Sequence, residues 1–368
     1  MATNIPFPHK LVLNRFLLSL FGGHAHELDQ DTFREVTRRL TDESLELREE
    51  DGSFRFCDEL SRMLPSSGPL TREQLLDFDA NIARHTAAIS ERRGHRLQWK
   101  YFQYMTLLFA EVYLDWYFRA PEGLLVALNA HLDHFNNALL DFGESKKAVI
   151  SPYTPESLRK LALWNATGSG KTLLMHVNML QFRHYLAKHR RTKDINRVVL
   201  LTPNEGMTRQ HLQELALSGI AAAPFDKDTT GGSFGLFRAQ TVDVIDMNKL
   251  REEGKKKTVS VDQFETNNLV FIDEAHRGSQ GEVWSEMRSR LAQDGFTFEY
   301  SATLGQAVGS DAALADEYSK SILFDYSYRY FHADGFGKDY KILNIEGQEN
   351  SKADTERRRL YLTACLLS

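Results

Sequence analysis

The stretch NATGSGKT, residues 165–172, decides how this chain folds. It follows a short apolar run at 161–164 and opens a helical pattern over 172–188, so it sits where a strand turns into a helix. In that setting Gly168 and Gly170 let the backbone aim its N–H groups at a β-phosphate with no Cβ in the way, and the helix N-terminus adds positive potential. Ala166, Thr167 and Ser169 complete the cradle. Lys171 would reach the β- and γ-phosphates, and the Thr172 hydroxyl would ligate magnesium, which makes Mg-ATP the expected ligand. An ordinary glycine-rich turn is the plain alternative, and the strand-to-helix context weighs against it. Asn165 is a departure, because the looser pattern prefers Gly or Ala there.

A second signal lies about a hundred residues on. LVFIDEAH, residues 269–276, is an apolar run ending in two adjacent carboxylates, which puts them at the C-terminal edge of a buried strand. Adjacent Asp and Glu divide the work of phosphoryl transfer. Asp273 would hold magnesium through water, and Glu274 would orient and deprotonate the attacking water. A solvated acidic turn is the better reading of such a pair in isolation, and the upstream loop reverses that preference. His276 has a bland reading too, as a side chain that satisfies a loop carbonyl.

Around these two signals the texture is that of an α/β domain. Short apolar runs at 161–164, 198–202, 243–245, 269–272 and 296–300 are each followed by a polar turn and a helical pattern, as expected of a parallel sheet buried on both faces. Stretches 229–235 and 251–257 read as surface loops. Before residue 150 the pattern differs. Apolar positions recur at three- and four-residue steps over 11–21, 70–89, 97–118 and 124–142, which predicts an all-helical N-terminal domain ended by the polar, Pro-containing stretch 143–157.

Composition sets outer bounds. A chain of 368 residues with 42% hydrophobic and 26% charged residues has the make-up of a folded protein of two or three domains. Its net charge of −5 excludes binding of nucleic acid by bulk charge, so any such site must be local. The two cysteines, Cys57 and Cys365, form no CxxC pair, which fits a reducing cytoplasm. The first residues lack the layout of a secretory signal. Lys100, Glu111 and Asp115 interrupt the greasiest segment, so it reads as a buried helix and no membrane partner is expected.

In order and spacing, the DEAH of 273–276 and the Ser301-Ala-Thr303 that follows resemble motifs of superfamily two helicases. The loop, IDEAHRG, FEYSATLGQ and the later Tyr326-Ser-Tyr with Ala333-Asp-Gly335 and Lys338 resemble the helicase half of type III restriction enzymes and related antiviral translocases. The resemblance implies a RecA-like ATPase domain over 151–335, with 336–368 a linker or the incomplete start of a second such domain. It implies that His276, Ser301 and Thr303 couple hydrolysis to a grip on nucleic acid, and that Thr202, Pro203 and Asn204 touch its backbone. It also implies an adenine-reading glutamine upstream of the loop, for which Gln103 in KYFQY is the candidate, although core packing explains that aromatic-rich segment equally well. For Ser301 and Thr303 the alternative is a hydrogen-bonded turn at a strand end.

No QxxGRxxR pattern is present, so the arginine that such motors bring from a second domain is missing, and a solvated helix face is the better reading of Arg357 and Arg359. Lys255, Lys257, Arg190 and Lys193 read as loop charges before they read as phosphate contacts. Glu253 and Lys255, with Asp246 upstream, have an ExK layout but lie inside the ATPase domain, where a nuclease core has no room. The expected function is an ATP-driven helicase or translocase on DNA in preference to RNA, in restriction or antiphage defence. A protein partner is expected on the N-terminal helices or as a nuclease subunit. An RNA helicase and an ATP-gated scaffold are the rival readings.

Overall fold

The computed structural model describes residues 5–24, 27–28, 30–225, 240–250, 264–275, 289–309 and 311–337. The chain divides into two compact units, Met1–Tyr328 and Arg329–Ser368. In the second, the helical residues 329–333 lead to Gly335, whose left-handed backbone (φ +80°) turns the chain. There Phe331 and Phe336 pack ring on ring, with centroids 5.7 Å apart.

The first unit is built on a seven-stranded sheet in the order β3-β4-β2-β5-β6-β1-β7, every pairing parallel. Its strands are β1 (Lys160–Asn165), β2 (Val198–Thr202), β3 (Ala222–Pro224), β4 (Val242–Asp246), β5 (Leu269–Asp273), β6 (Phe296–Ser301) and β7 (Ile322–Tyr326). The expected RecA-like α/β fold with a parallel sheet is borne out. In β2 and β5 every residue is buried, which is why VVLLT and LVFID read as unbroken apolar runs rather than as alternating ones. All five strands expected from the sequence form, each within a residue or two of its expected bounds. Of the two that were not expected, β3 is three residues long and ends in Pro224, and β7 follows a helix with no turn signal between them.

The helical layer comprises α1 (Val12–Ser19), α2 (Thr32–Thr37), α3 (Arg55–Met63), α4 (Arg72–Arg93), α5 (Tyr101–Arg119) and α6 (Pro121–Asp141). Helix α4 starts in a capping box, with the Thr71 hydroxyl taking the Gln74 amide while the Gln74 side chain returns to Thr71. It stops at Gly94, which is left-handed at φ +71°. This layer shields the β7 edge of the sheet. Asn14 Nδ2 donates to the Leu323 carbonyl at 3.0 Å, and Phe102 stacks on Tyr326 with centroids 3.8 Å apart. An edge strand so covered cannot pair with another chain.

Helix α5 also packs against α7 (Lys171–Lys188), the helix that the glycine-rich loop opens. Between them Glu111 is wholly buried and accepts from Asn81 Nδ2 (2.7 Å), Gln181 Nε2 (2.7 Å) and the Tyr185 hydroxyl (2.6 Å). Burial raises its carboxyl to about 7 in spite of those donors. Of the charged residues that interrupt the greasy segment, Glu111 is thus an interior hydrogen-bond partner. Among the described residues no helix is long and apolar enough to cross a membrane. The helical layer and the sheet both lie within the unit Met1–Tyr328.

Candidate ATPase site

Because all strands are parallel, the last residues of β1, β2, β5 and β6 share one edge of the sheet, the edge where α/β proteins bind ligands. The loop 166–170 leaves β1 there. Gly168 and Gly170 both have positive φ, +86° and +90°, as their expected role requires. Helix α7 starts with no side-chain cap; the Leu173 and Leu174 amides turn back onto the Gly170 carbonyl at 3.0 and 3.2 Å, and no side chain covers the start of the helix, where an anion would meet its positive end. Lys171 Nζ donates to the Asn165 carbonyl at 3.3 Å and lies 3.8 Å from Glu274 Oε1. The loop lysine and the acidic pair thus face one cleft.

The strands bearing them are not neighbours. Strand β6 runs between β1 and β5, with Trp164 opposite Ser301 on one side and Asp273 opposite Tyr300 on the other. The Ser301-Ala-Thr303 turn consequently sits between the phosphate loop and the carboxylates. Trp164 ties this turn to β1, donating its indole N–H to the Ala302 carbonyl at 3.0 Å. A Cβ on Gly305 would come within 2.3 Å of the Trp164 ring, so only glycine lets the turn close over it. Within the turn the Thr303 amide donates to the buried Ser301 hydroxyl at 3.1 Å, and Thr303 Oγ1 is buried with no hydrogen-bond partner among the described residues.

Glu274 has a left-handed backbone, φ +54°, which a residue with a Cβ adopts only at a cost. That conformation turns its amide back onto Asp273 Oδ1 at 3.1 Å and leaves its side chain partly exposed toward Lys171. Asp273 is buried, and its other oxygen, Oδ2, is 2.9 Å from His211 Nε2. Its negative charge is one reason, after burial, that the neighbouring Tyr300 phenol is raised well above its ordinary pKa. Sequence reasoning missed His211. No local pattern links a histidine on α8 (Glu205–Leu217) to a carboxylate 62 residues later.

The structure places Gln103 against the phosphate loop. Its Nε2 donates to the Ser169 carbonyl at 2.9 Å and its Oε1 accepts the Lys100 amide at 2.9 Å, so both ends of the amide are engaged inside the protein. A Cβ on Gly170 would meet that same Nε2 at 2.5 Å. Gln103 therefore braces the phosphate loop.

Thr202 is wholly buried, sharing a 2.6 Å hydrogen bond with the Thr208 hydroxyl and lying 3.3 Å from the Ile245 carbonyl. Pro203 is buried as well, and its carbonyl accepts from Asn248 Nδ2 at 3.0 Å. Asn204 is exposed and caps α8, taking the Met207 amide at 3.0 Å. Asp246 caps a short turn through the Asn248 amide at 2.9 Å. His276, Glu253, Lys255, Lys257, Lys338, Arg357, Arg359, Cys365 and the loops 229–235 and 251–257 lie outside the described residues.

The donor set suits magnesium. Thr172 offers a hydroxyl and Asp273 a carboxylate, both hard oxygens, and among the described residues no group of three or more His, Cys, Asp or Glu forms a protein-only metal cage. Two ligands beside bound phosphates are the usual arrangement for that ion.

Residues 126–306 match the model of a protein family described as type III restriction enzyme, res subunit. Over those residues the chain is similar to that family. The resemblance read from the motifs is thereby borne out, and the match begins inside α6, within the helical layer. Among solved structures, the Sulfolobus solfataricus SWI2/SNF2 ATPase core in complex with dsDNA is 14% identical over 47% of this chain and 34% of its own, with a TM-score of 0.31. This chain thus spans about a third of that one, and so low a score adds nothing to the fold assignment. No curated protein matches the chain.

Proposed function

We propose that this helicase-type domain is a magnesium-dependent ATPase that drives a helicase or translocase along nucleic acid, with DNA the favoured track and restriction or antiphage defence the setting. The observation that carries this reading is the 3.8 Å approach of Lys171 Nζ to Glu274 Oε1, which gathers the phosphate loop and the acidic pair at one sheet edge. In this reading backbone amides of the loop between Thr167 and Thr172 and the Lys171 ammonium bind the triphosphate, and the ammonium offsets the negative charge of the β- and γ-phosphates. Thr172 and Asp273 hold magnesium, which when bound supplies charge neutralisation on the phosphates. Glu274 takes a proton from the attacking water at its carboxylate and orients that water in line with the leaving oxygen.

Ser301, Thr303 and His276 transmit the state of the nucleotide to the nucleic-acid grip. The position of the Ser301–Thr303 turn between the loop and the acid pair favours that role. Of the residues expected on the nucleic acid, exposed Asn204 and the α8 N-terminus are the ones we assign to its backbone, because Thr202 and Pro203 are buried. In domain terms we read 1–150 as a helical layer that braces the motor, 151–335 as the ATPase domain and 336–368 as the passage into a second lobe.

The test is ATP hydrolysis by the full-length protein with double-stranded DNA, single-stranded DNA or RNA present. Stimulation by DNA above RNA supports the proposal, and stimulation by RNA alone replaces DNA as the track. If Glu274→Gln abolishes hydrolysis yet keeps the biological effect, the protein acts as an ATP-gated scaffold instead.

A further inference from the structure

The carboxylate of Asp273 is gripped by a helix to which ATP chemistry gives no task. His211 Nε2 stands 2.9 Å from Asp273 Oδ2, and both side chains are buried. A carboxylate only accepts, so Nε2 carries the hydrogen and donates. The other oxygen, Oδ1, takes the Glu274 amide at 3.1 Å. One donor on each oxygen fixes the rotation of the carboxylate, and each oxygen keeps a second lone pair for a further ligand.

Two features separate this contact from ordinary core packing. The second ring nitrogen, Nδ1, is buried with no hydrogen-bond partner among the described residues, so the ring is not there to complete an internal network. A buried orphan of that kind costs about 1–3 kcal/mol, which an apolar residue at 211 would avoid. The helix is also pinned close by: Asn204 caps its start, and Thr208 is bonded at 2.6 Å to Thr202 at the end of β2, the strand beside β5. His211 is one turn beyond Thr208, so the imidazole is held by a rigid frame.

We propose that His211 is the positioning residue of Asp273: it holds the carboxylate in the rotamer that meets magnesium. This rests on the reading of Asp273 as the magnesium-holding carboxylate. Partners that orient a metal-binding side chain typically change metal affinity by about 10–100-fold when removed.

The experiment titrates magnesium into the purified chain with a fluorescent ATP analogue, and measures analogue affinity in excess EDTA alongside. His211→Leu removes the donor and should raise the magnesium concentration for half-maximal binding about 10–100-fold, with affinity in EDTA unchanged. His211→Gln places an amide N–H near the former Nε2 and should restore most of the loss. Thermal melts of both variants report on folding. An unchanged magnesium midpoint in His211→Leu overturns the proposal. So does an equal loss of affinity with and without magnesium, or a Gln variant no better than Leu. Asp273→Asn tests the underlying reading separately. If that variant keeps the wild-type magnesium midpoint, Asp273 does not hold the ion, whereas a shift there with none in His211→Leu removes only the role of His211.

Discussion

Glu274 faces Lys171 across the cleft at 3.8 Å from a backbone that is left-handed at φ +54°. The ammonium is poised between the Asn165 carbonyl and this carboxylate, and a bound γ-phosphate would compete for it. Lys171→Ala should therefore abolish nucleotide binding, since the phosphate charge loses its main side-chain partner. Fluorescent-nucleotide titration checks this, and unchanged affinity would reject the assignment of the loop.

Glu274→Gln should separate binding from chemistry. The amide keeps the size of the side chain but takes no proton, so hydrolysis should fall by about 10²–10⁴-fold while nucleotide affinity stays near wild type. A steady-state phosphate-release assay beside the same titration distinguishes the two. Hydrolysis within a few fold of wild type would move the general base elsewhere.

The strained backbone at Glu274 gives a stability prediction of opposite sign to the activity. A left-handed conformation costs an ordinary residue about 1–2 kcal/mol, and glycine adopts it freely. Glycine also has more conformational freedom to lose on folding, by roughly 0.5–1 kcal/mol. Glu274→Gly should thus be inactive yet at least as stable as wild type in urea, by up to about 1 kcal/mol. A clear loss of stability would show that side-chain contacts of Glu274 outweigh its strain.

Gln103 offers a test between two chemistries. Its contact with the Ser169 carbonyl braces the loop, so Gln103→Ala should weaken ATP and GTP binding alike by about 5-fold, the worth of one hydrogen bond. If Gln103 read adenine instead, ATP affinity alone would fall.

These cases show which parts of the molecule were legible in the sequence. Residues 165–172 and 269–274 were readable because each function is local: a few adjacent side chains at a strand end, with glycines where positive φ is needed. Contacts over long separations were not. His211 reaches Asp273 over 62 residues, Gln103 reaches Ser169 over 66, and Trp164 reaches Ala302 over 138, and each depends on which strand lies beside which. The order that inserts β6 between β1 and β5 is a property of the whole chain. The burial of Thr202 was hidden for the same reason, since its partner Thr208 lies on a helix whose tilt no local pattern fixes.

The buried carboxyl of Glu111 makes stability depend on pH in a defined sense. Burial raises it from 4.5 to about 7, so the folded state prefers the protonated form. Its contribution is complete below pH 4.5 and is lost as pH rises through 7, a span of about 3 kcal/mol. Asp79, also raised by burial, to about 6, changes in the same sense. Two histidines, half-buried His85 and buried His176, are each lowered to about 3, mainly by desolvation, and act oppositely, weakening the fold as pH falls below 6.5. The wild-type profile alone therefore mixes signs. The difference between wild type and Glu111→Gln isolates this one carboxyl, because Gln fills the same space among Asn81, Gln181 and Tyr185 and has no proton to lose. Urea unfolding at pH 4.5, 6 and 8 should show wild type losing about 3 kcal/mol relative to the variant across that range. A difference that stays level with pH would mean the carboxyl is not raised, and that the packing of α5 on α7 admits an ionised Glu111 without penalty.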